Sequence, residues 1–308
     1  MPKKTVILSG SGGWLGKTTI ENLRQDYELI CLSRNKHFID QYPGNAIYWD
    51  GSEHLQNIVA DSIYSNSTLV HTASFPYSLY RSENATLSLA KIIKSEINLF
   101  EMLIGKPYPK SIIYVSSSAI HSLENYFSSF RESTSCKIAS KFGIAKFIIE
   151  QELIALSRIN NLRFSIIRPQ SIFSNEEKPS DNKGHLFSDL IYKLLIKKES
   201  SISISLARNY LMVMTPEFHY TNVLKKEIND ISHANYIELK NKNCIELEQF
   251  IHEVVNYGLS HAILSNKPAI LYGKSDAQKL EEKVNIPNYC YCDVDPKILI
   301  EKYLTKHF

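Results

Sequence analysis

The sequence predicts an α/β chain: a doubly wound parallel sheet with helices on both faces, followed by a smaller C-terminal α/β lobe. Three observations predict it. Short apolar runs rich in β-branched residues alternate with helix-period segments through the first half of the chain. A glycine-rich loop, SGSGGWLGKTT (Ser9–Thr19), follows the first of those runs directly. Beyond Pro169 the alternation becomes irregular, and the polar stretch SNEEKPSDNKG (Ser174–Gly184) reads as a loop past a strand end, placed to act as a flap near a substrate. With 308 residues, 44% of them hydrophobic, the chain can bury one large core or two smaller ones. The expected division is a nucleotide-binding domain over 1–168, with later segments returning to it, and a substrate-binding lobe over 169–308.

The strands expected in the first half are TVILSG (Thr5–Gly10), YELICLS (Tyr27–Ser33), AIYWD (Ala46–Asp50), TLVHTA (Thr68–Ala73), SIIYVSS (Ser111–Ser117) and RFSIIRP (Arg163–Pro169). Helical periodicity lies between them at Lys17–Arg24, His54–Asp61, Leu87–Ile104 and Ile138–Ile159. The later lobe mixes helical stretches (Leu186–Lys197, Leu247–Tyr257) with short strands (Ile202–Leu206, Tyr236–Leu239, Ala269–Tyr272). Periodicity alone leaves the order of strands in the sheet open.

Composition excludes several partners. A net charge of +3 from 35 basic and 32 acidic residues gives no electrostatic footprint for nucleic acid or an anionic membrane. No apolar run approaches the length of a membrane span, and the N-terminus lacks the pattern of a secretory leader, so a cytoplasmic protein is expected. Five scattered cysteines fit a reducing compartment; Cys290 and Cys292 form a lone CxC without a second ligand pair, and no metal site is expected.

The glycine loop can be parsed in two ways. Read from Gly10 it is GxxGxxG (Gly10, Gly13, Gly16), a dinucleotide-binding turn. Read back from Gly16-Lys17-Thr18 it approaches GxxxxGK[ST], a nucleoside triphosphate loop. The second form needs glycine where Ser11 stands, and Asp50 follows too closely to serve as its acidic metal partner. The first form needs a strand before, a helix after and a discriminating residue at the end of the next strand, and all are present. A Rossmann-type domain is the reading that follows, with Gly10 for the turn, Gly13 for close approach of the pyrophosphate and Gly16 for close packing of the helix. The next strand ends CLSRNK, placing Ser33 and Arg34 where a ribose-binding acid would mark NAD; Arg34 is suited to a 2′-phosphate, so NADP is the expected cofactor, with NAD the alternative.

From here the chain resembles the extended short-chain dehydrogenase/reductases, the NAD(P)-dependent nucleotide-sugar epimerases and dehydratases. SGSGGWLGKTTIENL is similar to that family's TGxxGFIGxxLxxxL, with Trp14 and Leu15 at its FI pair, and Asp50 stands where the family contacts adenine. LVHTAS, which holds Thr72 and Ala73, resembles the VIHLAA strand lining the cofactor; KSEINLFEML resembles NVxGTxNLLEA; and IIYVSSSAIHS resembles FVYxSSxxVYG. IIRPQSIFS, EFHYTNV and YIELKNKNCIELEQFIHEVV resemble LRPxNVYGP, FVHVDDV and YNxGSGxxxSxxELxxxI in turn.

The resemblance implies a nucleotide-sugar substrate, a homodimer built on the helices near Leu87–Ile104 and Ile138–Ile159, and an active site of Ser/Thr, Tyr and Lys. It departs at the centre. KFGIAKFIIEQEL aligns with PYGxSKxxxEQ, so Lys146 takes the lysine position and Phe142 the place of the tyrosine that trades a proton with substrate. Ser117 aligns with the active-site serine, with Ser118 one step on, and His121 takes the VYG tyrosine position. The literal YxxxK at Tyr236–Lys240 falls in a late strand and is a decoy. Tyr77, with Tyr80 beside it in FPYSLY, lies on the loop that approaches substrate; Thr221 and Asn222 replace two aspartates of the family; and Arg208 is the candidate for a substrate-phosphate arginine displaced from Thr215.

Two functional readings follow. One is an NADP-dependent oxidoreductase, epimerase or dehydratase with an atypical active site. The other is a catalytically inactive dinucleotide-binding protein with a sensing or scaffolding role.

Overall fold

The computed structural model describes residues 2–73, 85–120, 141–175, 177–180, 186–204, 208, 210–230, 234–272 and 289–308. The chain divides into two compact units, Met1–Pro169 with Tyr220–Glu238, and Gln170–His219 with Leu239–Phe308.

The first unit alternates strand and helix: β1 (Thr5–Ser9), α1 (Trp14–Leu23), β2 (Glu28–Ser33), α2 (Lys36–Gln41), β3 (Asn45–Tyr48), α3 (Asp61–Tyr64), β4 (Thr68–His71), α4 (Ala85–Leu103), β5 (Ser111–Val115), α5 (Lys141–Asn160) and β6 (Phe164–Pro169). β1 pairs in parallel with both β2 and β4, β2 with β3, β4 with β5 and β5 with β6. The order β3-β2-β1-β4-β5-β6 reverses direction between β1 and β4, the point at which α/β sheets leave a crevice beyond their strand ends. β5 and β6 are buried along their whole length, as continuous apolar strands covered on both faces must be. Ile7, Leu32, Leu69, Ile112 and Ile166 of the strands meet Phe100 and Leu103 of α4 and Ile149 and Leu153 of α5 in one core.

The second unit holds β7 (Ile172–Phe173), α6 (Leu186–Ile191), β8 (Ser201–Ile204), β9 (Leu211–Val213) and β10 (Thr215–Pro216). After α7 (Glu217–Asn229), which begins in this unit and runs into the first, comes β11 (Ala234–Asn241), along which the division falls after Glu238. Then come β12 (Cys244–Glu246), α8 (Leu247–Ser260), β13 (Ala269–Tyr272), β14 (Tyr289–Cys292) and α9 (Pro296–His307). β11 continues the parallel-sheet order of the first unit beside β6. Phe250, Ile251 and Val254 of α8 pack on Leu299, Ile300, Tyr303 and Leu304 of α9. α9 also bonds the described start of the polar loop expected as a flap: the Tyr303 hydroxyl donates to the Glu177 carbonyl oxygen at 2.6 Å, and the His307 ring bonds that of Asn175 at 3.0 Å.

Three expectations differ from the fold. His54–Asp61 is not one helix but a 3₁₀ turn, Leu55–Asn57, followed by the separate α3. Leu55 and Val59 are buried one helical turn apart, which gave helical spacing to a bent connection. The helix after the glycine loop starts at Trp14 rather than Lys17, because the Lys17 amide already makes an i to i−4 bond to the Gly13 carbonyl at 2.9 Å. The helical stretch Leu186–Lys197 changes after Ile191 into a π-helical turn over Tyr192–Ile196.

Candidate functional site

The glycine loop closes at the switch point. Gly10 has φ +79°, a conformation glycine adopts without strain, and a Cβ there would lie 2.6 Å from the Ala73 amide nitrogen and 2.9 Å from Thr72 Oγ1. Thr72 in turn donates to the Ser9 carbonyl from its amide at 3.2 Å and its hydroxyl at 2.7 Å, so the end of β4 is fastened against the end of β1. The Gly13 amide bonds the Gly10 carbonyl at 3.0 Å, and Gly13, the N-cap of α1, has no side chain to cap the helix, whose first turn carries no acid. A Cβ on buried Gly16 would collide with the Gly10 carbonyl oxygen, which fixes glycine where helix and loop cross. Half-buried Trp14 and Leu15 open the helix, and Lys17 projects into solvent. A helix start with a glycine N-cap behind a glycine turn offers amides and a positive dipole end to a phosphate.

Ser11 is fully buried and donates to the Leu32 carbonyl at 2.7 Å, which ties the loop to β2. This explains the serine that spoils the triphosphate-loop pattern. At the end of β2, buried Ser33 accepts from the Asn35 amide at 3.0 Å and leaves no room for a Cβ on Gly12. Arg34 follows on the exposed rim. Asp50, also exposed, accepts from the Ser52 amide at 2.9 Å and the Tyr48 hydroxyl at 3.4 Å, and its bonds to Ser52 hold the carboxyl below its ordinary range.

Lys146 lies on α5 and is only 3% exposed. Its Nζ donates to the Val115 carbonyl at the end of β5 at 3.2 Å, and sits 4.9 Å from the centre of the Tyr114 ring and 5.7 Å from that of Phe142. Burial drives its pKa down, while the carboxylates of Glu96 on α4 and Glu150 on α5 pull it back up. Below it, His71 of β4 stacks on Tyr114 with ring centres 5.6 Å apart and bonds Ser9 Oγ at 2.5 Å; burial, with the Lys146 charge, pushes the imidazole down to about 3.

Beside Lys146 is a charged cluster that the sequence reading did not single out. Arg168 of β6 grips Glu150 with two bonds, Nε to Oε1 at 3.1 Å and Nη2 to Oε2 at 2.7 Å, and donates from Nη1 to Glu238 of β11 at 3.1 Å. All three residues are buried. Burial works against the guanidinium charge, but the two carboxylates outweigh it. The signal was present: Glu150 stands one turn after Lys146, and Arg168 and Glu238 are single charges in the apolar runs FSIIRP and YIEL.

The other candidates are placed as follows. Ser117 and Ser118 are half-buried just past β5; the Ser117 hydroxyl accepts from the Ala119 amide at 3.2 Å and Ser118 opens a 3₁₀ turn. Arg208 is exposed, 3.6 Å from Glu248 and with its guanidinium carbon 5.0 Å from the centre of the Tyr272 ring. Tyr77, Tyr80 and His121 lie outside the described residues. Tyr236 and Lys240 share strand β11, where four residues span about 13 Å, too far for the helical Tyr–Lys partnership. Among the described residues, no group of three or more His, Cys, Asp or Glu could hold a metal ion, and no helix is long and apolar enough to cross a membrane.

Residues 6–211 match the model of the NAD dependent epimerase/dehydratase family. No curated protein matches the chain. Among solved structures, the UDP-glucose 4-epimerase of Thermotoga maritima, in complex with UDP-glucose, superposes with a TM-score of 0.70 at 12% identity, covering 98% of each chain. An epimerase from Methanothermobacter thermautotrophicus gives 0.70 at 13% identity over 99% of this chain and 92% of that one. The UDP-glucuronic acid 4-epimerase of Bacillus cereus, in complex with UDP-glucuronic acid and NAD, gives 0.68 at 13% identity over 98% of each. At these identities the likeness is one of fold.

Proposed function

This chain belongs to the NAD-dependent epimerase/dehydratase family, and from that premise we propose that it binds a nicotinamide dinucleotide, NADP in preference to NAD, and acts on a nucleotide-linked sugar. The observation that carries the reading is the joint geometry of the α1 start, with its glycine N-cap, at Gly10, Gly13 and Gly16 and of the buried Lys146. Gly10, Gly13, Trp14, Leu15 and Gly16 hold the pyrophosphate, Thr72 and Ala73 line the cofactor's path, Asp50 meets the adenine and Arg34 the 2′-phosphate. The first unit carries the dinucleotide and the second, with Arg208, the nucleotide of the substrate. The UDP-sugar complexes among the structural neighbours support that substrate class.

When bound, the nicotinamide supplies a hydride donor or acceptor. The chain's own part is to bind, orient and move protons. The Lys146 ammonium has three donors, one of which goes to Val115, so two remain for ribose hydroxyls. Ser117, with Ser118 beside it, hydrogen-bonds the sugar oxygen that is or becomes a carbonyl, polarising the carbonyl so that its carbon accepts hydride. Phe142 stands at the family's tyrosine position and holds a ring against Lys146 but has no proton to give. The proton therefore travels through another group, and Tyr77 and His121 are the candidates on the substrate side. By the same family likeness the protein acts as a homodimer, checked by light scattering on the purified chain.

Phe142 also favours a second reading, a dinucleotide-binding protein that senses cofactor or scaffolds a partner without turnover. The experiment that separates the two is a screen of nucleotide sugars with NADP(H) for the native chain and Phe142→Tyr. Turnover by the native chain supports the enzyme. Turnover by the variant alone supports the inactive binding protein.

A further inference from the structure

A lysine side chain is a flexible four-carbon stem, and ordering it costs entropy wherever its nitrogen must meet a ligand. The stem of Lys146 is already ordered, and ring faces take part in ordering it. β5 gives Nζ two consecutive residues, the Val115 carbonyl at 3.2 Å and the Tyr114 ring with its centre at 4.9 Å. α5 adds Phe142, one turn earlier at the spacing that puts two side chains on one helix face, with its ring centre 5.7 Å from the same nitrogen. Tyr114 is itself fixed. It is buried, stacks on His71 of β4 at 5.6 Å and 19°, and meets Phe100 of α4 edge to face at 6.2 Å and 63°. This wall of the slot therefore moves only if the core moves. A ring face attracts an ammonium through its quadrupole and also accepts an N–H from a neutral amine, so the slot suits the nitrogen in either protonation state.

We propose that Tyr114 and Phe142 are positioning residues for Lys146: two ring faces, one from β5 and one from α5, that with the Val115 carbonyl form a slot holding the nitrogen in one place before any ligand binds. The slot gives Phe142 a task that needs no hydroxyl. A residue that trades no proton still keeps a ring where the ring is a wall, whereas an aliphatic side chain there would leave the lysine free to swing. Tyr114 works in the same way, through its face and not through its phenol. A nitrogen held in advance loses less freedom when it meets a ligand oxygen, so the rings act on affinity through the lysine. The functional weight of the slot rests on reading Lys146 as a cofactor-contacting residue, but the slot itself can be measured without any dinucleotide.

The test is the proton–carbon NMR spectrum of the full-length protein labelled with ¹³C-lysine, the Lys146 ε-methylene signal being assigned from its loss in Lys146→Arg. Protons over a ring face are shielded, so this signal should lie upfield of the crowd of exposed lysines. Phe142→Leu is the primary variant, since Phe142 is only half-buried at the start of α5. It should move the signal back toward the crowd, and Tyr114→Leu should move it further, because the Tyr114 ring is the nearer one. Tyr114→Phe restores the ring without the hydroxyl and should recover the native position. A native signal within the crowd, or one unmoved in Phe142→Leu, overturns the slot. Should Tyr114→Leu fail to fold, the Phe142→Leu result decides. Calorimetry with NADPH then tests the functional weight: Phe142→Leu should bind about tenfold more weakly than the native chain. A signal that moves in a protein that binds no dinucleotide supports the slot and counts against the reading of Lys146 instead, so the two failures are distinct.

Discussion

Lys146 Nζ lies 5.7 Å from the centre of the Phe142 ring, four residues earlier on α5, and donates to the Val115 carbonyl at 3.2 Å. A phenol built on that ring would enter the field of the ammonium. Phe142→Tyr should therefore hold a tyrosine that ionises below its usual pKa near 10, read as a tyrosinate absorbance band absent from the native chain. If the sugar-binding groups are intact, turnover should rise by about 10²-fold or more, the scale of a positioned general acid–base. A phenol that titrates normally would mean that the lysine charge does not reach this position.

The glycine turn gives a second prediction. Gly16→Ala forces a Cβ against the Gly10 carbonyl, displacing α1 from the loop, and should cost about 1–3 kcal/mol in denaturant unfolding. Dinucleotide affinity should be lost in the same variant. Lys17→Ala, by contrast, removes an exposed side chain and should leave both stability and dinucleotide affinity nearly unchanged. A triphosphate-loop lysine would behave in the opposite way.

Breaking the buried charge cluster should be costly. Arg168→Met strands two carboxylates inside the first unit and should destabilise it by about 3–5 kcal/mol. Glu238→Gln keeps a hydrogen-bond acceptor for Nη1 and retains the bidentate pair with Glu150, so a smaller loss, about 1–2 kcal/mol, is expected. Equal effects from the two variants would deny the two-bonded Glu150 contact its leading role.

His71 sets an acid limit on stability. Its ordinary value of 6.5 is pushed down to about 3 in the fold. Between those values the unfolded chain takes up a proton that the folded chain refuses, so this contribution is complete above the ordinary value and is lost as pH falls, at about 1.4 kcal/mol per pH unit. His71→Gln can keep a bond to Ser9 but does not titrate. Its stability should therefore decline less steeply with acid than that of the native chain, measured by urea unfolding at several pH values.

Much of this architecture was legible in the sequence, for identifiable reasons. β1, β5 and β6 are apolar runs buried on both faces, and nothing competes with their strand pattern. The Gly10–Gly16 spacing was readable because each glycine answers a steric demand of the fold. The segment EFHYTNVLKKEIN did not announce itself as helix α7, since its aromatic, β-branched and charged residues blur the apolar stripe; Tyr220 earns its place only through burial and a 3.2 Å bond to Thr19, 201 residues away. The Arg168 cluster was hidden for a related reason. Its members come from α5, β6 and β11, so only the tertiary fold brings Glu150 and Glu238 to one guanidinium. Arg34 and Asp50, at strand ends, were found by position along the chain rather than by contact.

The most direct test of the account is calorimetric titration of the purified protein with NADPH, NADH and ATP. Micromolar binding of NADPH, roughly tenfold tighter than NADH and weakened to the NADH level by Arg34→Ala, is the result the account predicts. Binding of ATP with no response to either dinucleotide would contradict it.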